Sequence, residues 1–270
     1  MSKRAVRKLR VSKKEVRSLH VVRLSLTGVA LCDFPSRSEG NYVKLLFPKN
    51  GQEKNCADIL SAYPEGEREL SSQELEQFVK RSFTVVRGDS KAFCLQLDIS
   101  LHDERGPATD WLAGAQVGDE LFVVGPGPVK LLNQSADWFF LASDLTGLPG
   151  IAANLERLSV DARGMAIIEV LSAEDKIELA APSGIEICWR ITPDMTRSRL
   201  VEFVRNSLWS GERVSVWVAC EFSAMRELRN HFSGERNVRN EDLYLSSYWK
   251  LGNSDEEHKI AKRVDTPPKK

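Results

Sequence analysis

The feature that most limits what this chain can fold into is a change of periodicity near its middle. Ahead of residue 130, short runs alternate apolar with polar side chains, at 19–26, 42–47, 83–87, 93–99 and 120–124. A period of two belongs to a half-buried strand, so the first half reads as mainly antiparallel β. Beyond residue 137 strands and helices take turns. Strands are predicted over 138–142, 164–171, 186–190 and 214–219, and helices over 149–158, 196–208 and 223–232. Strand, helix, strand in that order gives an α/β sheet. A chain of 270 residues is long enough for two cores, and the segment 131–137 is where the two textures meet.

Four regions follow: a tail at 1–18, a β-barrel at 19–132, an α/β domain at 137–250 and a C-terminal helix with a basic tail at 251–270. Lys3, Arg4, Arg7, Lys8, Arg10, Lys13 and Lys14 precede the first acid, Glu15, and such a block predicts a solvated tail. Ser71 and Glu74 form a capping box opening a helix that would present Leu75, Phe78 and Val79 on one side. Ser254 to Glu257 form a second box, and Lys259, Lys262 and Arg263 suit the far end of that helix.

Charge and cysteine content remove several functions. Lys+Arg 38 balances Asp+Glu 38, which gives no basic field for a nucleic acid. No apolar run reaches the roughly 20 residues that span a bilayer, and a cytoplasmic, monomeric protein without membrane contact is expected. Cys32, Cys56, Cys94, Cys188 and Cys220 are odd in number and scattered, as are His20, His102, His231 and His258, so neither disulfides nor a protein-ligated metal is expected.

Three segments carry chemistry. In the run from Arg81 to Arg87, strand geometry puts Arg81 and Phe83 on one face with Thr84 beside them, offering a guanidinium for a pyrophosphate, a ring for stacking and a hydroxyl. Gly106, Pro107, Ala108 and Thr109 make a turn into a helix, where outward backbone N–H groups and the Thr hydroxyl would accept phosphate. Asp144, Thr146, Gly147 and Pro149 start a helix after a strand, a second place for a dinucleotide. Taken singly, each segment is equally an ordinary edge strand, turn or helix start.

The ordered set RSFT, LHDERGPATDW, VGDELFVVGP, ASDLTGLPGI, WVACE and YWKLG resembles the siderophore-interacting protein family of FAD-dependent ferric-siderophore reductases, over about residues 19–258. The resemblance implies a ferredoxin-reductase-like two-domain flavoprotein: an antiparallel FAD-binding barrel and a smaller α/β domain, with the active site in the cleft between them. It implies FAD contacts at Arg81, Phe83, Thr84, His102, Gly106, Pro107, Ala108 and Thr109. Electrons would come from NADH, NADPH or reduced ferredoxin, with Asp144, Thr146, Cys220 and Glu221 at the donor site. Lys44, Lys130 and Lys250 would draw in the ferric siderophore. Phe83 departs from the family's Tyr, Val86 stands where Arg is frequent, Gly127 takes a basic position, and Cys220 replaces a Gly where it would narrow the approach of a nicotinamide. A non-catalytic iron-chelate carrier and a flavin reductase with another acceptor remain as alternatives.

Overall fold

The computed structural model describes residues 6–63, 67–101, 106–211, 213–253 and 255–265. The chain divides into two compact units, Met1–Val129 and Lys130–Lys270.

The first unit contains β1 (Val6–Ser18), β2 (Val21–Thr27), β3 (Tyr42–Pro48), α1 (Glu53–Ala62), the two-residue β4 (Glu67–Arg68), α2 (Ser72–Leu75), β5 (Phe78–Asp89), β6 (Cys94–Ser100), α3 (Pro107–Gly114) and β7 (Glu120–Gly127). The order β2-β6-β5-β3-β7-β1 returns to β2, closing six antiparallel strands into a barrel, with β4 on β1. Closure leaves no long strand edge for another chain to pair with. Inward residues such as Leu9, Leu24, Leu45, Leu97 and Val123 fill the interior, and Leu112 of α3 joins them. A second cluster, with Cys56, Tyr63, Leu70, Phe78 and Phe122, packs α1 against the outside of the barrel.

Two expectations are corrected here. The basic segment is a strand and not a tail, because Leu9 and Val11 turn into the barrel core at a spacing of two, while Val6 joins the cluster outside the barrel and Lys8 and Arg10 share that outer face. One cation is buried with them: Arg7 donates to Ala30 O at 2.8 Å and Gly125 O at 2.5 Å, and pairs with Asp33 at 2.9 Å. The box at Ser71 forms as expected, Glu74 N–H donating to Ser71 Oγ and Ser71 N–H to Glu74 Oε2. Its helix stops at Leu75, however, and Phe78 and Val79 begin β5.

The second unit contains β8 (Trp138–Ser143), α4 (Leu148–Leu155), β9 (Arg163–Val170), β10 (Gly184–Ile191), α5 (Leu200–Arg205), β11 (Val214–Glu221), α6 (Phe222–Asn230), β12 (Leu243–Trp249) and α7 (Asp255–Asp265). Its sheet is parallel, in the order β10-β9-β8-β11-β12. β8, β9 and β11 are near-continuous buried runs, as strands covered on both faces must be. The predicted helix at 196–208 shrinks to α5 because Glu169 on β9 pins the preceding loop: its carboxylate accepts from Thr192 Oγ1, Ser198 Oγ and Arg199 N–H at 2.5–2.7 Å. The start of the second capping box, Ser254, lies outside the described residues. The helix itself docks on β12, with Ser247 Oγ 2.8 Å from His258 Nε2 and Lys262 Nζ donating to Ser247 O at 2.8 Å.

The order of this sheet contains one reversal. Chain progress from β8 through β9 to β10 builds one side, after which β11 and β12 build the other, so the C-terminal ends of β8 and β11 flank a topological switch point. Open α/β sheets take their ligands in the crevice at such a point.

Candidate functional site

In the barrel, register fixes which side chains share a face. Phe83 lies opposite Val43 and Arg81 opposite Leu45, while Thr84 lies opposite Tyr42 and Ser82 opposite Lys44. Val43 and Leu45 are core residues, and Phe83 packs against that core, so Arg81 and Phe83 belong to the inner face and Thr84 to the other. Thr84 is buried beside Tyr42. Lys44 is half-buried on the same face as Thr84, across the ladder from Ser82. Arg87, beside the position where the resemblance has a frequent Arg and this chain has Val86, pairs with Asp89 at 3.5 Å.

An aromatic relay connects β5 to α3. The Phe83 ring meets Phe47 edge-on at 6.4 Å, and Phe47 meets Trp111 of α3 at 5.6 Å. Three segments far apart in sequence, 81–84, 47 and 106–111, therefore converge on one side of the barrel. The start of α3 differs from the expectation in one respect. Thr109 Oγ1 accepts from Gly106 N–H at 2.8 Å and donates to Gly106 O at 2.9 Å, so the hydroxyl closes the turn instead of facing outward. The helical ladder begins with Asp110 N–H on Gly106 O at 2.8 Å, leaving the N–H groups of Ala108 and Thr109 ahead of it in the first turn. His102 lies outside the described residues, and Pro107 opens α3.

Gly106 is extended, with φ −165°, and a Cβ there would have Thr109 Oγ1 as its nearest neighbour at 4.0 Å. Neither backbone strain nor packing among the described residues accounts for the glycine. Open space above a helix start, one guanidinium and one aromatic ring are what a flavin dinucleotide asks for, and this donor set fits FAD. Gly106→Ala is expected to change the stability of the flavin-free protein by less than about 1 kcal/mol, the scale of a changed cap. The same change should weaken FAD binding about tenfold if phosphate approaches the backbone there. Parallel thermal unfolding and FAD titration check this.

Gly127, at the position where the resemblance implies a base, is filled by another residue. A Cβ at 127 would fall 2.1 Å from Cζ of Tyr42, so the phenol ring occupies the volume of a side chain at 127. Tyr42 was not singled out from the sequence. The signal that would have found it is its direct pairing with both Thr84 and Gly127.

In the second unit the structure gathers Asp144, Thr146 and Glu221 at the switch point. Asp144 follows β8, and its carboxylate accepts four hydrogen bonds: Thr146 N–H at 2.9 Å, Thr146 O–H at 2.5 Å, Glu221 N–H at 2.9 Å and the Trp249 indole N–H at 2.8 Å. Burial pushes its pKa up to about 6, against the pull of the bonds from Thr146 and Trp249. Glu221 ends β11 and caps α6, accepting Ser223 N–H at 2.5 Å and Ala224 N–H at 3.2 Å. Gly147 is required here by close packing, since a Cβ would sit 2.7 Å from Ala219 O.

Cys220 does not join this group. Its side chain is 1% exposed and belongs to the cluster of Val216, Val218, Phe222, Met225 and Leu228, beneath α5 and α6. Burial holds its thiol well above the usual range. The expected obstruction of a nicotinamide by Cys220 is therefore corrected: the strand turns this side chain into the core, while Ala219 and Glu221 alternate away from it. Lys250 places its ammonium 5.1 Å from the Phe222 ring centroid. Lys130 opens the second unit, and its carbonyl accepts the Trp217 indole N–H at 2.9 Å. Among the described residues no helix is long and apolar enough to cross a membrane, and no group of three or more metal-ligating side chains is present.

Comparison with known proteins agrees with this division. Residues 10–130 match the siderophore-interacting FAD-binding domain, and residues 136–252 match the siderophore-interacting protein model. The chain is 29% identical over 257 residues to the ferric vibriobactin reductase ViuB of Vibrio cholerae, covering 94% of this chain and 92% of the other. It is 32% identical over 256 residues to an uncharacterised protein of Mycobacterium tuberculosis, covering 88% and 87%. The crystal structure of the siderophore-interacting protein SipS from Aeromonas hydrophila superimposes with a TM-score of 0.82 at 27% identity, covering 97% and 99%. On the strength of both family matches and these near full-length relatives, the chain belongs to the siderophore-interacting protein family, with an FAD-binding barrel followed by an α/β unit.

Proposed function

We propose that this oxidoreductase is an FAD-dependent ferric-siderophore reductase, taking electrons from a nicotinamide nucleotide or a reduced ferredoxin and releasing iron in the cytoplasm. The observation that carries the reading is the Phe83–Phe47–Trp111 relay, which sets Arg81 and the open turn at Gly106 on one side of a family FAD-binding barrel. The near full-length relative named a ferric vibriobactin reductase supports the substrate class.

Bound FAD accepts an electron pair and passes electrons on singly, which ferric iron requires. The chain's own residues bind, orient and attract. Arg81 and the first turn of α3 would hold the pyrophosphate, Phe83 would lie against the ring system, and Thr84 would contribute a hydroxyl from the adjoining face. Asp144, Thr146 and Glu221 would bound the donor site. Lys44, Lys130 and Lys250 would attract the oxygen-rimmed chelate without coordinating its iron. Ferric iron is held tightly by hard oxygen donors and ferrous iron less so, so one-electron reduction loosens the chelate. No protein acid, base or nucleophile is needed.

Anaerobic photoreduction tests this directly. The purified protein is expected to be yellow, and its photoreduced form to be reoxidised by a ferric siderophore while a ferrous-specific chromophore captures iron. Chelate binding without reoxidation would make the protein a carrier, and a flavin-free protein that takes up no added FAD would end the reading altogether. Recovery of the protein in membrane or secreted fractions would remove the cytoplasmic part.

Lys44→Ala and Lys250→Ala are each expected to weaken an anionic ferric chelate by about 1 kcal/mol at low salt and by less at high salt, where screening already removes part of the attraction. FAD content should stay unchanged. Titration at two ionic strengths checks both, and equal affinity for parent and variants would place the substrate elsewhere.

A further inference from the structure

The two carboxylates at the switch point do more than cap helices. Asp144 Oδ2 accepts the Trp249 indole N–H at 2.8 Å, and Glu221 Oε1 accepts the Leu251 backbone N–H at 3.3 Å. Lys250 stands between the two tied residues, its ammonium over Phe222. Phe222 follows Glu221 directly and opens α6, so one short turn places the carboxylate, the ring and the ammonium. Residues 249–251 therefore form a strap joining the C-terminal ends of β8 and β11, fastened at each end.

The crevice next to the strap, lined by Asp144, Leu145, Glu169, Thr192, Ser198 and Trp249, retains about 10 Å³, no more than one water. Its acids are largely engaged within the chain: Asp144 accepts four hydrogen bonds and Glu169 three. A neighbouring groove of about 640 Å³, reaching Arg199, Glu221, Ser223 and Leu251, is roomy enough for much of a nucleotide. A nucleotide donor can thus lie beside the strap, but its nicotinamide cannot enter the switch-point crevice while Trp249 is fastened.

We propose that the strap is a latch that makes donor entry and presentation of Lys250 mutually exclusive. A nicotinamide nucleotide reaches the crevice only when Trp249 leaves Asp144, and that movement withdraws Lys250 from Phe222. This rests on the reductase reading, with Lys250 as a chelate-binding residue. Linkage makes the antagonism reciprocal: ferric chelate that engages Lys250 weakens nucleotide binding by the same factor that nucleotide weakens chelate. The donor and the chelate would then visit the enzyme in turn.

Trp249→Phe keeps most of the ring volume and removes the N–H donor. In the FAD-loaded full chain, oxidised NAD⁺ and NADP⁺ are titrated by calorimetry with and without a ferric hydroxamate chelate, and amide exchange is followed at Leu251. The chelate should weaken nucleotide binding at least fivefold in the parent. Trp249→Phe should bind nucleotide at least fivefold more tightly, lose the effect of chelate and exchange the Leu251 amide about tenfold faster. Glu221→Gln, which loosens the other end, should move affinity and exchange in the same direction. Unchanged nucleotide affinity in both variants would overturn the latch, as would unchanged exchange at Leu251 or an absence of nucleotide binding by any of the proteins. Reoxidation of photoreduced parent protein by the chelate is measured alongside. Failure there removes the reductase reading, whereas normal reoxidation with unmoved nucleotide affinity removes the latch alone.

Discussion

Arg81→Ala is expected to yield a protein that purifies almost colourless, with FAD affinity lower by about a hundredfold. Arg81 shares the inner face of β5 with Phe83, whose ring is linked through Phe47 to Trp111 of α3. A pyrophosphate carries localised charge, and hydrogen bonds to a charged group contribute roughly 1.5–3 kcal/mol each, so losing a fork that makes one or two of them accounts for about 3 kcal/mol. Arg81→Lys should recover part of the affinity, because the charge remains while the planar pair of donors does not. Fluorescence titration of the flavin-free protein measures both. Wild-type affinity in Arg81→Ala would place the phosphates elsewhere, and a matching fall in unfolding temperature without FAD would make Arg81 a structural residue.

The second large effect concerns the edge of the parallel sheet opposite the switch point. Asp242 precedes β12 and is 1% exposed. It accepts from Arg213 at 2.8 and 2.9 Å, Arg239 at 3.0 Å and Asn133 at 2.7 Å, tying together the segments that lead into β8, β11 and β12. Asp242→Ala is expected to destabilise the second unit by about 2–3 kcal/mol, because it removes a buried acceptor of four hydrogen bonds, three of them charge-assisted, while the partly exposed Arg213 and Arg239 keep Glu241 and solvent. Five of the six tryptophans lie at or beyond residue 138, so tryptophan fluorescence in urea reports mainly on this unit. The Arg213 guanidinium holds the Asp242 carboxyl below its ordinary range. Its contribution is therefore complete above the unfolded carboxylate pKa of about 4 and disappears as pH falls through the lower folded value. Parent and variant should converge in stability toward strongly acid pH. A loss under about 1 kcal/mol at neutral pH would show that the cluster is not the tie described.

How much of this could be read beforehand depended on the distance in sequence between interacting residues. The box at Ser71 closes over three residues and formed as written, and the change of texture near 131–137 lies close to the division at Val129. β1 was missed because its charges dominate its composition, and the partners that bury Arg7 come from 23 and 118 residues away. α1 was missed because Cys56 is its one fully buried residue, too little for a helical stripe to show. The shared face of Arg81 and Phe83 followed from a period of two. The relay through Phe47 and Trp111, the bond from Trp249 to Asp144 and the inward turn of Cys220 each depend on tertiary register, which no local pattern records.

The ring of Tyr42 over Gly127 also restricts how this protein can change. A basic side chain introduced at 127 forces the phenol to move aside, since its first carbon would fall 2.1 Å from Cζ of Tyr42. Removing the phenol first leaves a hollow beside Thr84 and the Gly127 carbonyl, to which Asn41 donates at 2.6 Å. The two positions thus form an epistatic pair, in which either replacement alone costs packing and both together exchange an aromatic wall for a cation. Any lineage or engineer exchanging the aromatic wall for a cation at this corner of the barrel passes through one of those intermediates or alters both residues at once.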